Sequence, residues 1–248
     1  MDVADGTVLT IAHLYPELLG TYGDGGNALV LSSRARRRGV SVEVQEVSLD
    51  DPLPDADIYL LGGGEDGPQR QATYALAKDR ALARRVDDGA VVLGVCAGFQ
   101  ILGTSYDVEG DITVEGLGLL DVVTTRGPKR RVGNLLTRVG SKWIVGFENH
   151  GGQSALGDGV APLGIVEAGF GNGVLTSDSG RSVDGARVGR LFATYAHGPV
   201  LALNPWLADE ILGLALGREL EPLATIADRL HRERVAFVGD VQSSDDED

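Results

Sequence analysis

The chain has 248 residues, 22 of them Lys or Arg and 36 Asp or Glu, for a formal net charge of −14. A single fold of that length buries roughly 75% of its chain surface, and 43% apolar residues place it outside the disordered range. The negative charge repels phosphate backbones, which argues against a nucleic-acid partner.

In chain order, Thr7 to Leu14 reads as a strand, followed by a Gly-rich turn over 20–26. A helix is predicted from Asn27, its N-cap, to Arg38, with Gly39 as the stop. The basic run Arg34–Arg38 closes that helix, where cations offset the negative end of the dipole. Val40 to Val47 alternates with period two, as a half-buried strand does. Residues 57–61 form the next strand, ended by Gly62-Gly63-Gly64, and 70–87 read as one helix. Ala90 to Val95 is an unbroken apolar run, the pattern of a strand buried on both faces.

Strands alternating with helices imply βαβ units and a mostly parallel sheet, hence an α/β fold. After Gly116 the runs 118–125, 132–139, 143–148, 163–168 and 190–196 read as antiparallel additions. Pro205 opens a helix to Leu216, and a last helix is predicted over 221–235. We read one domain over 1–238 and an acidic, disordered tail over 239–248. The single cysteine, Cys96, excludes an internal disulfide and a multi-cysteine metal site. No apolar run approaches the ~20 residues that cross a bilayer, and the N-terminus lacks a signal-peptide pattern. The expectation is a cytoplasmic protein with no direct membrane insertion.

The buried run 90–95 leads straight into Cys96, which Gly94 and Gly98 flank at minus two and plus two. That spacing matches a nucleophile elbow, a tight strand-to-helix turn that exposes the side chain at the sheet's carboxyl edge. Glycines suit it because backbones approach closely there. With an ordinary pKa near 8.5, only about 3% of a thiol is ionised at pH 7. A helix N-terminus and a nearby imidazolium raise that fraction.

The base comes from four histidines. His13 reads as a core residue of the first strand, and His231 as a solvated residue of the last helix. His197 and His150 both end strands and can face the elbow, with His197 ahead on placement. An oxyanion needs backbone donors, which Ala97 and the loop Gly63-Gly64 can supply. That loop is not a P-loop, since no Gly-Lys-Ser/Thr follows it.

These segments together resemble the class I (triad-type) glutamine amidotransferases, in the branch shared with cobyric acid synthase. IYLLGGGEDGPQ (58–69) is similar to that branch's oxyanion loop, GVCAGFQILG to its elbow, and ATYAHGPVLALNPWLADEIL (193–212) to its histidine motif. LYPELLGTYGDGGNALVLSSRARRRG and KRRVGN are similar to the stand-alone glutaminase subunits of lipid II isoglutaminyl synthase. The resemblance covers residues 7 to 216.

It implies a three-layer, flavodoxin-like glutaminase fold, Cys96 as nucleophile and His197 as base. It also implies L-glutamine as substrate, with Arg130 holding the glutamine, Arg131 as its neighbouring alternative, and Gln100, at plus four from the cysteine, in the binding site. Such subunits use no cofactor or metal. They pair with a Mur-ligase-like, ATP-dependent synthetase subunit, through which the lipid-linked substrate is reached and amidated. The alternatives are the glutaminase of cobyrinic or cobyric acid amidation, whose synthetase domain this chain is too short to contain, and a degenerate assembly subunit. Most of the class places Glu two residues after the histidine, whereas Pro199 stands there. The sequence therefore predicts a Cys–His dyad with a loosely held imidazole, Asp24 and Glu148 being unselected candidates to orient it.

Overall fold

The computed structural model describes residues 8–174 and 180–245. Its first part alternates strand and helix: β1 (Val8–Leu14), α1 (Pro16–Leu19), α2 (Gly26–Arg36), β2 (Ser41–Val47), β3 (Ile58–Leu61), α3 (Asp66–Ala77), α4 (Ala81–Asp87), β4 (Val91–Val95) and α5 (Ala97–Leu102). β3 and β4 are buried along their whole lengths, as unbroken apolar runs in a covered parallel sheet must be. The helix predicted over 70–87 is two helices, because Arg80 between them turns left-handed at φ 54°. α2 takes Gly25, not Asn27, as its N-cap. The Asn27 side chain instead accepts the Leu201 amide at 3.0 Å, tying α2 to the segment after His197.

The second part adds β5 (Ser105–Val108), β6 (Ile112–Glu115), β7 (Val122–Val139), β8 (Lys142–Leu156), β9 (Gly164–Ala168), β10 (Val183–Asp184), β11 (Ala186–Val188) and β12 (Leu191–Thr194). The helices α6 (Val200–Leu203), α7 (Pro205–Ala215) and α8 (Ile226–Asp245) follow. The hairpin of β5 and β6 had no counterpart in the sequence pattern. β7 and β8 are longer than the predicted runs, since their pairing resumes after an irregular stretch between Arg126 and Arg131.

One sheet has the order β11-β12-β4-β3-β1-β2, parallel throughout except for β11 against β12. α2 packs with α6 and α7, while α1, α3, α4 and α5 form a second helix group. The other sheet runs β10-β9-β7-β5-β6 with β8 on β7, and only its β5–β7 pair is parallel. α8 closes a small core on that sheet, with Val235 and Val238 against Leu136, Val145 and Ala168.

Anchored there, α8 continues through 239–245, where the acidic composition predicts a disordered tail. Extending a formed helix costs far less than nucleating one. Residues 246–248 of that expected tail lie outside the described residues.

Candidate active site

β3, β4 and β12 are adjacent and parallel, so their carboxyl ends share one edge of the sheet. Gly62–Gly64 follow the first, Cys96 the second, and His197 comes three residues after the third. Segments far apart in sequence therefore meet at the edge where open α/β sheets form their sites.

Cys96 has φ 53° and ψ −102°, a sparsely populated conformation for a residue with a side chain. Its amide donates to the Thr194 carbonyl at 3.0 Å, which fixes the elbow to the neighbouring strand. A Cβ on Gly94 would lie 2.8 Å from the Gly98 carbonyl carbon, and one on Gly98 would lie 2.5 Å from the Leu61 oxygen. The two flanking glycines are thus required by close backbone approach. The thiol sits on a nearly closed surface, with Cys96 8% exposed.

His197 is fully buried and is fastened to β8 by two backbone hydrogen bonds with Phe147. Its Nδ1 lies 3.1 Å from Asp24 Oδ2. The Asp24 carboxylate is held in turn by the Gly63 amide at 2.8 Å. Phe147 stacks on the imidazole at 5.3 Å, and the Tyr22 ring meets it edge-on at 4.9 Å. The expected loose imidazole is therefore a clamped one. The residue that clamps it is Asp24, from the Gly-rich turn 173 positions away.

His197 Nε2 has no conventional hydrogen-bond partner among the described residues and is the nitrogen left for Cys96. Burial pulls the imidazole pKa down. The hydrogen bond to Asp24 and the electrostatic influence of Asp24 and the nearby Cys96 outweigh it and push the pKa up to about 9. The ring is thus cationic at neutral pH, the state that stabilises a neighbouring thiolate.

The other expected residues divide. The amides of Gly64 and Ala97 make no hydrogen bond among the described residues, so both are available for the expected role of oxyanion donor. The Gly63 amide does not, because Asp24 accepts it. What requires glycine at 63 is space: a Cβ there would lie 2.7 Å from His197 Cε1.

Gln100, expected in the binding site, is buried on α5. Its Nε2 donates to the Tyr195 hydroxyl at 3.1 Å, and its Oε1 accepts from Gln69 at 2.9 Å. These two bonds fix its side chain and brace the elbow helix.

Arg130 stands at the rim of the site. Its guanidinium donates to Asn149 Oδ1 and to the Tyr22 hydroxyl at 3.2 Å. Tyr22 connects it to His197. Arg131 is turned away and covers the Phe170 ring at 3.9 Å. His150, the second candidate base, belongs to a separate buried group with Glu148 and Tyr195. His13 is buried near the end of β1, and His231 Nδ1 donates to the Leu203 carbonyl at 2.8 Å.

No cluster of three His, Cys, Asp or Glu among the described residues could hold a metal ion. No described helix is long and apolar enough to cross a membrane.

The model of the CobB/CobQ-like glutamine amidotransferase domain matches residues 10–205. The chain is 35% identical over 215 residues to subunit GatD of the glutamine-hydrolyzing lipid II isoglutaminyl synthase of Staphylococcus aureus, covering 85% of this chain and 86% of that one. Against the same subunit of Streptococcus pneumoniae it is 35% identical over 248 residues, covering 96% and 93%. The cobyric acid synthase of Mycolicibacterium gilvum is also 35% identical, but the match covers 66% of this chain and 31% of that protein. Among solved structures, a glutamine amidotransferase aligns with a TM-score of 0.54 at 20% identity, covering 85% of this chain and 99% of that one. PurLQS of Thermotoga maritima aligns at 0.57 and 19%, covering 84% and 95%. These two show a shared fold.

Proposed function

The chain belongs to the CobB/CobQ-like glutamine amidotransferase domain family, and from that premise we propose that it is the glutaminase subunit of a lipid II isoglutaminyl synthase. The observation that carries the reading is the meeting of Cys96, His197 and Asp24 at one sheet edge, in a chain alike over most of its length to two such subunits. The cobyric acid reading is weaker, since the match spans about a third of that relative.

Cys96 Sγ attacks the side-chain amide carbon of L-glutamine, and the amides of Gly64 and Ala97 receive the developing oxyanion. His197 gives its Nε2 proton to the departing nitrogen, so ammonia leaves and a thioester to Cys96 remains. Neutral His197 then takes a proton from water, which attacks the thioester and releases glutamate and free thiol. Asp24 holds Nδ1 throughout and keeps Nε2 aimed at the chemistry. It completes a triad in place of the Glu that Pro199 replaces. Arg130 offers paired donors to the glutamine α-carboxylate.

The ammonia passes to a Mur-ligase-like partner that activates the α-carboxyl of D-glutamate in the peptidoglycan stem with ATP, giving D-isoglutamine. The work is done in the cytoplasm, and the lipid-linked substrate is reached through the partner. Replacing Cys96 with Ala tests the reading through glutamate release from glutamine. Release should fall by roughly 10³-fold or more with partner binding intact; unchanged release would end the nucleophile assignment.

A further inference from the structure

The rim of the site carries a carboxylate that the fold does not need. Glu65 follows the oxyanion donor Gly64 directly and occupies the N-cap of α3, yet its side chain makes no capping hydrogen bond. Its neighbour Asp66 accepts the Glu109 amide at 2.7 Å and pairs with Arg126, so that carboxylate is structural. Glu65 has an ion-pair partner in Arg130, at a loose 3.8 Å, with the two side chains 64% and 50% exposed. An open pair of this kind adds little to stability and parts at little cost.

Its position is more informative than its strength. Arg130 reaches His197 through Tyr22, and Glu65 is one residue from the oxyanion loop. A cation and an anion thus stand side by side at the mouth of the site, on two different elements. An α-amino acid presents the complementary pair of charges on one carbon.

We propose that Glu65 is a specificity residue that takes the α-ammonium of the bound amino acid while Arg130 takes its α-carboxylate. The pair opens to admit the zwitterionic head, and so restricts the thiol to amides borne by a free α-amino acid. Glutamine residues within peptides, whose nitrogen is acylated, and simple amides lack the charge that Glu65 reads. The proposal rests on the glutaminase reading and adds to it the group that selects the substrate.

The test compares L-glutamine with glutaramate, the same molecule without its α-amino group, as substrates of the 248-residue chain and of Glu65→Gln. Ammonia release is the readout. The unaltered chain should prefer L-glutamine by roughly 10- to 100-fold in kcat/KM, the range of a charge-assisted hydrogen bond. In Glu65→Gln, kcat/KM for L-glutamine should fall by about that factor, through KM, while glutaramate hydrolysis stays unchanged and the preference disappears.

A preference retained in active Glu65→Gln overturns the proposal and leaves the glutaminase reading standing. An equal fall for both substrates also overturns it, because that is the signature of a disturbed oxyanion loop. No ammonia from either substrate with the unaltered chain overturns the glutaminase reading, and this proposal with it.

Discussion

The molecule buries two imidazole–carboxylate pairs of nearly equal length. His197 meets Asp24 at 3.1 Å, and His150 meets Glu148 at 3.2 Å, with all four side chains at most 1% exposed. Their surroundings separate them. Glu148 also accepts the Phe170 and Gly171 amides, at 2.8 and 3.0 Å. The second nitrogen of His150 faces the Gly152 carbonyl at 3.1 Å, and its ring stacks on Tyr195 at 3.7 Å. Every polar atom of that pair is committed to the frame of the second sheet. The Asp24–His197 pair leaves one imidazole nitrogen uncommitted, and beside it lies the only thiol in the chain. The Asp24–His197 pair keeps a nitrogen for proton exchange with the thiol and the Glu148–His150 pair does not, so equal distances do not mean equal roles.

The sharpest way to break this contrast is to replace each histidine in turn. His197→Gln should lower kcat for glutamine hydrolysis by roughly 10²- to 10⁴-fold, the usual contribution of a general acid–base. His150→Gln should cost less than about tenfold in kcat but about 2 kcal/mol in stability, through stranded buried partners. Steady-state rates with thermal unfolding check both. A crippled but stable His150 variant would reverse the assignment.

The same contrast explains what could be read from the sequence. Cys96 was legible because a buried strand, two glycines and a helix start are all local, and the structure ties each glycine to a specific close approach. His197 was legible as one of two strand-ending histidines. Asp24 was legible only as one of two unselected candidates: it lies in a turn whose glycines advertise a bend but say nothing about which distant side chain it faces. Glu148 was an equal candidate until the structure placed it on β8 under Phe170.

Gln100 shows a related limit, since its position along α5 is local information but its burial against Tyr195 is tertiary. In the fold, the parallel strands followed from apolar runs, whereas the continuity of β7 was hidden where Gly127 and Pro128 interrupt the pattern. The split at Arg80 depends on a single left-handed residue that no periodicity marks.

A smaller effect comes from neutralising each carboxylate. Asp24→Asn keeps the shape but can donate to Nδ1, which leaves the proton on Nε2 and fixes the wrong tautomer. The rate should fall by roughly 10- to 10³-fold, less than for loss of the imidazole itself. Glu148→Gln replaces an acceptor of three donors by a group with one acceptor oxygen. It should lower stability by about 2 kcal/mol or more, with modest change in rate. Comparing the two variants by kcat and by urea unfolding sharpens the division between catalytic and structural pairs. If Asp24→Asn keeps full activity, Asp24 is no part of the triad.

The smallest expected effect lies in the pH response, and it follows from the sign of the His197 shift. The hydrogen bond to Asp24 and the electrostatic influence of Asp24 and Cys96 carry its pKa to about 9 against the opposing pull of burial. The folded state therefore binds this proton more tightly than the unfolded state, where the ordinary value is about 6.5. The stabilisation is complete below that ordinary value and is lost as pH rises through about 9. The unaltered chain should accordingly lose more of its unfolding temperature between pH 6.5 and 9.5 than His197→Gln does. The rate of ammonia release should fall over the same upper limb, where the imidazolium that protonates the leaving nitrogen disappears. Asp24→Asn removes a raising influence and should move that limb to lower pH. His150→Gln should leave the limb where it is, because its pair does not share the thiol. An alkaline limb unmoved in Asp24→Asn but moved in His150→Gln would mean that the carboxylate coupled to catalysis is Glu148.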